Sequence, residues 1–128
     1  MSEGPPHVLV VDDDPNVLSR LGQLLEDEFR VTTTADWGEV NRVVFRKGCD
    51  LVLMDVNLPV LRGDQLVEAL KRAENGSAAF RAPRILHSSS ADEECLRQLC
   101  VRTGADGYVS KSARGAELIA QLRRHLTA

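Results

Sequence analysis

Five short β-rich runs alternate with helical patterns from one end of the chain to the other, and this alternation restricts the fold more than any other feature. Val8-Leu9-Val10-Val11 and Leu51-Val52-Leu53-Met54 are apolar at every position, as strands buried on both faces must be. Successive parallel strands need crossover connections, and the helical patterns supply them. The expected class is therefore α/β, a doubly wound five-stranded parallel sheet with five helices on both faces. Strands are expected near 7–11, 29–33, 50–54, 83–88 and 106–109, and helices near 15–27, 36–47, 63–73, 91–103 and 113–126. A length of 128 residues suits a single domain, here 7–126, with residues 1–6 a disordered head.

Local signals mark several helix ends. Asp14 can cap the first helix with Pro15 at its first position, followed by a stripe of Val17, Leu18, Leu21, Leu24 and Leu25. Asp36 and Glu39 have the spacing of a capping box for the second helix, and Gly104 suits a left-handed cap of the fourth. Ser90 is a further cap candidate for the fourth helix. Leu118, Ile119, Leu122 and Leu126 form an apolar stripe on the last helix, which should pack on the sheet. The segment 74–82 reads as a loop, with Phe80 placed to pin it.

Composition narrows the setting. With 43% hydrophobic and 27% charged residues the chain resembles an ordinary globular domain, and no apolar run reaches the length of a membrane span. The opening residues lack a basic region followed by an apolar stretch, so no secretion signal is expected. A net charge of −3 argues against direct nucleic-acid binding, and Arg114, Arg123, Arg124 and His125 read as a solvated helix end favoured by the helix dipole. Cys49, Cys95 and Cys100 lack metal-ligand spacing and are read as reduced cytosolic thiols, the five-residue step from Cys95 to Cys100 being wrong for a disulfide on one helix face.

The chemistry is concentrated in carboxylates that end two of the apolar runs, Asp12 and Asp13 after the first and Asp55 after the third. If these strands are neighbours, all three acids reach the same carboxyl edge, where open α/β sheets place their sites. Carboxylates held that close repel, so the site asks for a cation. That combination points to a Mg²⁺-dependent phosphoryl site.

Four segments fall in order at the expected strand ends: Val-Val-Asp12-Asp13-Asp14-Pro15, Leu-Met-Asp55-Val56-Asn57-Leu58-Pro59, Ser88-Ser89-Ser90 and Gly107-Tyr108-Val109-Ser110-Lys111. Together they resemble response regulator receiver domains from about His7 to Leu126. The resemblance implies a flavodoxin-like, CheY-like sheet of order 2-1-3-4-5. It implies Asp55 as phospho-acceptor, and Asp12, Asp13, Asp55 itself and the Asn57 backbone carbonyl as the ligands of Mg²⁺ (or Mn²⁺). Lys111 would pair with Asp55 and then with a phosphoryl oxygen, and a serine hydroxyl would take another oxygen. Counting from Pro83 selects Ser88 and counting back from Lys111 favours Ser89. Ser88 is preferred, because the following helix absorbs an extra residue more easily than the strand does. His87 is read as a packed strand residue. Tyr108 matches the family's switch aromatic, which turns inward as the surface of the fourth helix, fifth strand and fifth helix changes.

The implied function is a bacterial, cytoplasmic two-component phosphoprotein. It takes its phosphoryl group from a sensor histidine kinase or phosphotransfer protein, and it signals to a downstream protein or effector domain. It would act as monomer or phosphorylation-linked homodimer, with no direct nucleic-acid or membrane contact. It would be no enzyme beyond self-phosphorylation and autodephosphorylation. The chain departs from the family in one place: Ser112 follows Lys111 where Pro, often cis, is common. A cis bond before Ser costs about 3 kcal/mol, so either a trans link or a strained cis bond is expected. Two other readings stand beside this one. A receiver-fold interaction module would bind partners independently of phosphorylation. An aspartyl-phosphate phosphatase would want an acid at the position of Asn57.

Overall fold

The computed structural model describes residues 5–44, 48–55, 83–89, 94–95, 97–98, 101, 106–110 and 115–127. The expected helix at 63–73, the loop at 74–82 with Phe80, and most of the helix at 91–103 with its cap candidates Ser90 and Gly104 lie outside these residues. Among those described, the chain runs β1 (His7–Val11), α1 (Pro15–Leu25), β2 (Arg30–Thr34), α2 (Trp37–Arg42), β3 (Leu51–Asp55), β4 (Arg84–Ser89), β5 (Gly107–Ser110) and a C-terminal helix (Gly115–Thr127). The five strands form one parallel sheet in the order β2-β1-β3-β4-β5, the expected topology.

Alternation along the strands divides the core between the two faces. Leu9 and Val11 pack with Val52, Met54, Ile85 and the Val40, Val43 and Val44 group at α2. Val8 and Val10 pack on the other face with Leu51, Leu53, Leu86 and Val109, against Leu21 and Leu25 of α1 and Leu118 and Leu122 of the C-terminal helix. Because β1 and β3 are covered on both sides, every residue of Val8–Val11 and Leu51–Met54 is buried. This is why those two runs carry no polar residue until their carboxyl ends.

Boundaries shift from the expected ones by small amounts with identifiable causes. β2 begins at Arg30 rather than Phe29, because the Phe29 amide donates to Leu25 O at 2.9 Å and its ring enters the core. β5 begins at Gly107, because the Asp106 amide donates to Ile85 O at 2.9 Å while the Asp106 carboxylate accepts the Ile85 amide at 2.8 Å. The Asp36 amide donates to the Thr34 hydroxyl at 3.0 Å, and Glu39 pairs with Arg42 at 2.8 Å. Beyond α2, Gly48 takes φ +80° and donates its amide to Val43 O at 2.7 Å, a left-handed conformation that suits glycine.

Long-range contacts fasten the remaining parts. The Pro5 carbonyl accepts Arg30 Nε at 3.1 Å and the Pro6 carbonyl accepts the Arg30 amide at 2.9 Å. Arg123 pairs with Glu28, and its guanidinium lies 5.2 Å from the Phe29 ring centroid. The His125 ring occupies the space where a Cβ on Gly107 would stand, so a side chain there would displace the ring. Of the basic residues near the C-terminus, Arg123 thus turns to the α1–β2 turn and His125 to β5.

Candidate functional site

The carboxyl ends of β1 and β3 lie side by side in the sheet, with Val10 opposite Leu53 and Val11 opposite Met54. The next residues bring the acids together. Carboxylate oxygens of Asp12, Asp13 and Asp55 all lie within 4.8 Å of one another. Asp12 and Asp55 are only 2% and 5% exposed, whereas Asp13 is exposed. β3 reaches one residue further than the hydrophobic run, so Asp55 stands in the strand itself, in register with Ser88 of β4. Ser88 is buried and shares the Asp55 face of the sheet, since directly paired residues on adjacent strands project to one side.

The turn after β1 is held by the backbone. The Asp12 amide donates to Thr34 O at 3.2 Å, tying β1 to the end of β2. Asp12 Oδ1 accepts the Asp14 amide at 3.0 Å, and Asp14 Oδ1 accepts the Asn16 amide at 2.9 Å as the cap of α1. Asp14 thus has the capping place expected of it, with Pro15 as first helical residue.

All three donors are carboxylate oxygens, and two of them are buried beside each other. Such a set suits a hard divalent cation, which prefers oxygen ligands and offsets the mutual repulsion of the acids. Ser88 supplies a hydroxyl next to Asp55, and an aromatic, Tyr108, stands half-buried on β5 opposite His87. His87 itself is buried between β3 and β5, as a packed strand residue. Lys111 follows β5 directly in the chain but lies outside the described residues, as do Asn57, Ser112 and the Lys111–Ser112 bond. The backbone of Ser89 is described, in register with Ser110, which places it one residue beyond the Asp55 pairing.

A family model for the response regulator receiver domain matches residues 8–123. The chain belongs to that family. Among curated relatives, the transcriptional regulatory protein PrrA of Mycobacterium tuberculosis is 34% identical over 119 residues, covering 92% of this chain and 48% of that protein. The aerobic respiration control protein ArcA of Escherichia coli is 29% identical over 123 residues, covering 95% of this chain and 49% of that protein. The receiver domain thus spans about half the length of these relatives. Among solved structures, the chemotaxis response regulator CheY4 of Vibrio cholerae aligns with a TM-score of 0.79 at 26% identity, covering 95% of this chain and 99% of that one. The BeF3-activated receiver domain of Klebsiella pneumoniae RstA aligns with a TM-score of 0.77 at 28% identity, with 95% and 99% covered.

Within the receiver fold, Thr34 is the participant that residue patterns do not single out. Its carbonyl secures the amide of a buried acid from across the sheet, a role set by register alone. Burial, with Asp50 adding to it, pushes the Cys49 thiol up to about 12, and this cysteine packs partly buried against the core. Burial also lowers His125 at its seat on Gly107. Among the described residues no helix is long and apolar enough to cross a membrane.

Proposed function

We propose that this receiver domain accepts a phosphoryl group on Asp55 from a phosphohistidine donor, in a Mg²⁺-dependent step. The observation that carries the reading is the convergence of the Asp12, Asp13 and Asp55 carboxylates at one sheet edge, with Ser88 in register beside Asp55. An Asp55 oxygen attacks phosphorus, the P–N bond to the donor histidine breaks, and the imidazole leaves with the bonding electrons and takes up a proton. When bound, Mg²⁺ supplies charge neutralisation and a template for the phosphoryl oxygens. Asp12 and Asp13 would hold it, with the Asn57 carbonyl as a further ligand by the family's motif. Ser88 would donate a hydrogen bond to one phosphoryl oxygen and Lys111 would pair with another, so that charge and alignment are both met before the bond forms.

Output would follow from the different contacts that the two states of Asp55 make, since a phosphoryl group shifts a two-state equilibrium only by its differential interaction with them. Ser88 drawn toward the phosphoryl group and Tyr108 turned inward would alter the β5 and C-terminal helix surface. A kinase or phosphotransfer protein would be the donor and a downstream protein or joined effector domain the receiver. The cytoplasm of a bacterium is the setting that fits such partners. Incubating the chain with Mg²⁺ and a small acyl phosphate tests the proposal by mass spectrometry. One phosphoryl adduct is expected, absent in Asp55→Ala and in chelator. No adduct would favour an interaction module that works without phosphorylation, and an adduct that survives Asp55→Ala would overturn Asp55 as the acceptor.

A further inference from the structure

Asp14 is the one member of the acidic run that the proposed reaction leaves without a part. Its carboxylate is exposed and occupied as the α1 cap, accepting the Asn16 amide at 2.9 Å, while its carbonyl accepts the Leu18 amide at 3.1 Å. Its own amide points the other way and donates to Asp12 Oδ1 at 3.0 Å. Asp12 is the most buried of the acids, and its backbone is fixed separately by the 3.2 Å bond to Thr34 O. One residue therefore joins the helix start to the carboxylate of a buried acid.

The conformation that makes this possible follows from the next residue. Proline disfavours the helical region for the residue before it, and Asp14 accordingly stays extended at φ −94°, ψ 113°. In that conformation its side chain reaches forward to Asn16 while its amide faces back to Asp12. If the cap is lost, the first turn is freer to fray and the amide is no longer held at one place. The Asp12 carboxylate then keeps its charge but loses a fixed donor that sets its rotation.

We propose that Asp14 is a positioning residue: by capping α1 it holds the amide that orients the Asp12 carboxylate toward Asp55, and so raises the affinity of the acids for a divalent cation. This inference rests on the cation-assisted reading of the site given above. Partners that orient a metal-binding carboxylate commonly change metal affinity by about 10–100-fold when lost. A backbone donor that persists in a looser form should sit at the lower end, near tenfold.

The test measures Mn²⁺ binding to the full chain by electron paramagnetic resonance, alongside thermal unfolding in chelator. Asp14→Ala should weaken Mn²⁺ by about tenfold. Asp14→Asn, which keeps a capping oxygen and removes the charge, should bind within about twofold of the wild type because the amide stays held. Asp14→Gly removes the capping oxygen and frees the backbone that carries the amide while costing helix caps little stability, so it should still weaken Mn²⁺ binding and separates orientation from folding. The inference is overturned if Asp14→Ala and Asp14→Gly bind as the wild type does, or if Asp14→Asn loses as much as Asp14→Ala, which would assign the effect to charge. Absence of saturable Mn²⁺ binding by the wild type would overturn the cation-assisted reading itself, and this inference with it.

Discussion

Replacing Asp12 by Asn asks whether the acids are held together against their own repulsion. The substitution keeps an oxygen for the Asp14 amide and removes only charge. Asp12 and Asp55 are both buried, with oxygens within 4.8 Å. Two unit charges at that separation repel by about 3.5 kcal/mol at an effective dielectric of about 20, and by about 0.9 kcal/mol in bulk water. A site at the sheet edge lies between these limits, so the metal-free variant should gain on the order of 1–3 kcal/mol. For a chain of this length, 1 kcal/mol moves the midpoint by about 4 °C, giving a rise of about 4–12 °C in chelator. Mg²⁺ acts in the opposite sense. A ligand that binds only the folded state stabilises it by about 2.7 kcal/mol at a hundred times its dissociation constant, so the wild type should close the gap as Mg²⁺ is added. Thermal unfolding followed by circular dichroism at neutral pH, in chelator and across a Mg²⁺ series, reads both effects. A variant that melts at or below the wild type in chelator, or equal Mg²⁺ shifts in the two proteins, would refute the repulsion argument.

The seat of His125 gives stability a pH dependence. Burial pulls this histidine below its ordinary 6.5, against the charge of Asp106 and with Arg124 and Arg84 adding to the drop. A lowered folded value means that the contribution is fully present above about 6.5 and is lost as pH falls through the folded value. Melting temperatures from pH 8 to pH 5 should therefore fall more steeply for the wild type than for His125→Gln, and parallel curves would contradict this. Cys49, with its thiol pushed up to about 12, should resist iodoacetamide in the native chain while exposed Cys95 reacts. Peptide mapping after brief alkylation near pH 8 checks the order, and equal labelling would show that Cys49 is not held in the core.

Much of the fold could be read along the chain, because its signals are local. An unbroken apolar run such as Leu51–Met54 announces a strand covered on both faces, and Asp14-Pro15 announces a helix start. The small errors fall where local and distant demands compete. Phe29 has a strand-like side chain, yet its amide is taken by Leu25 and its ring by the core. Glu39 has capping-box spacing, and its carboxylate also pairs with Arg42 while the Asp36 amide takes the Thr34 hydroxyl.

By itself, the sequence determined the kind and order of the elements, and it put the acids at the ends of strands, since periodicity and strand chemistry are carried by neighbouring residues. The placement of Asp12, Asp13 and Asp55 within reach of one another depends on the register of β1 against β3, which no local pattern contains. The same holds for Ser88 opposite Asp55, for Thr34 O on the Asp12 amide, and for Arg123 on Glu28, 95 residues away. Burial at the acid site arises from packing between segments distant in the chain, so only the tertiary structure separates the two buried acids from exposed Asp13.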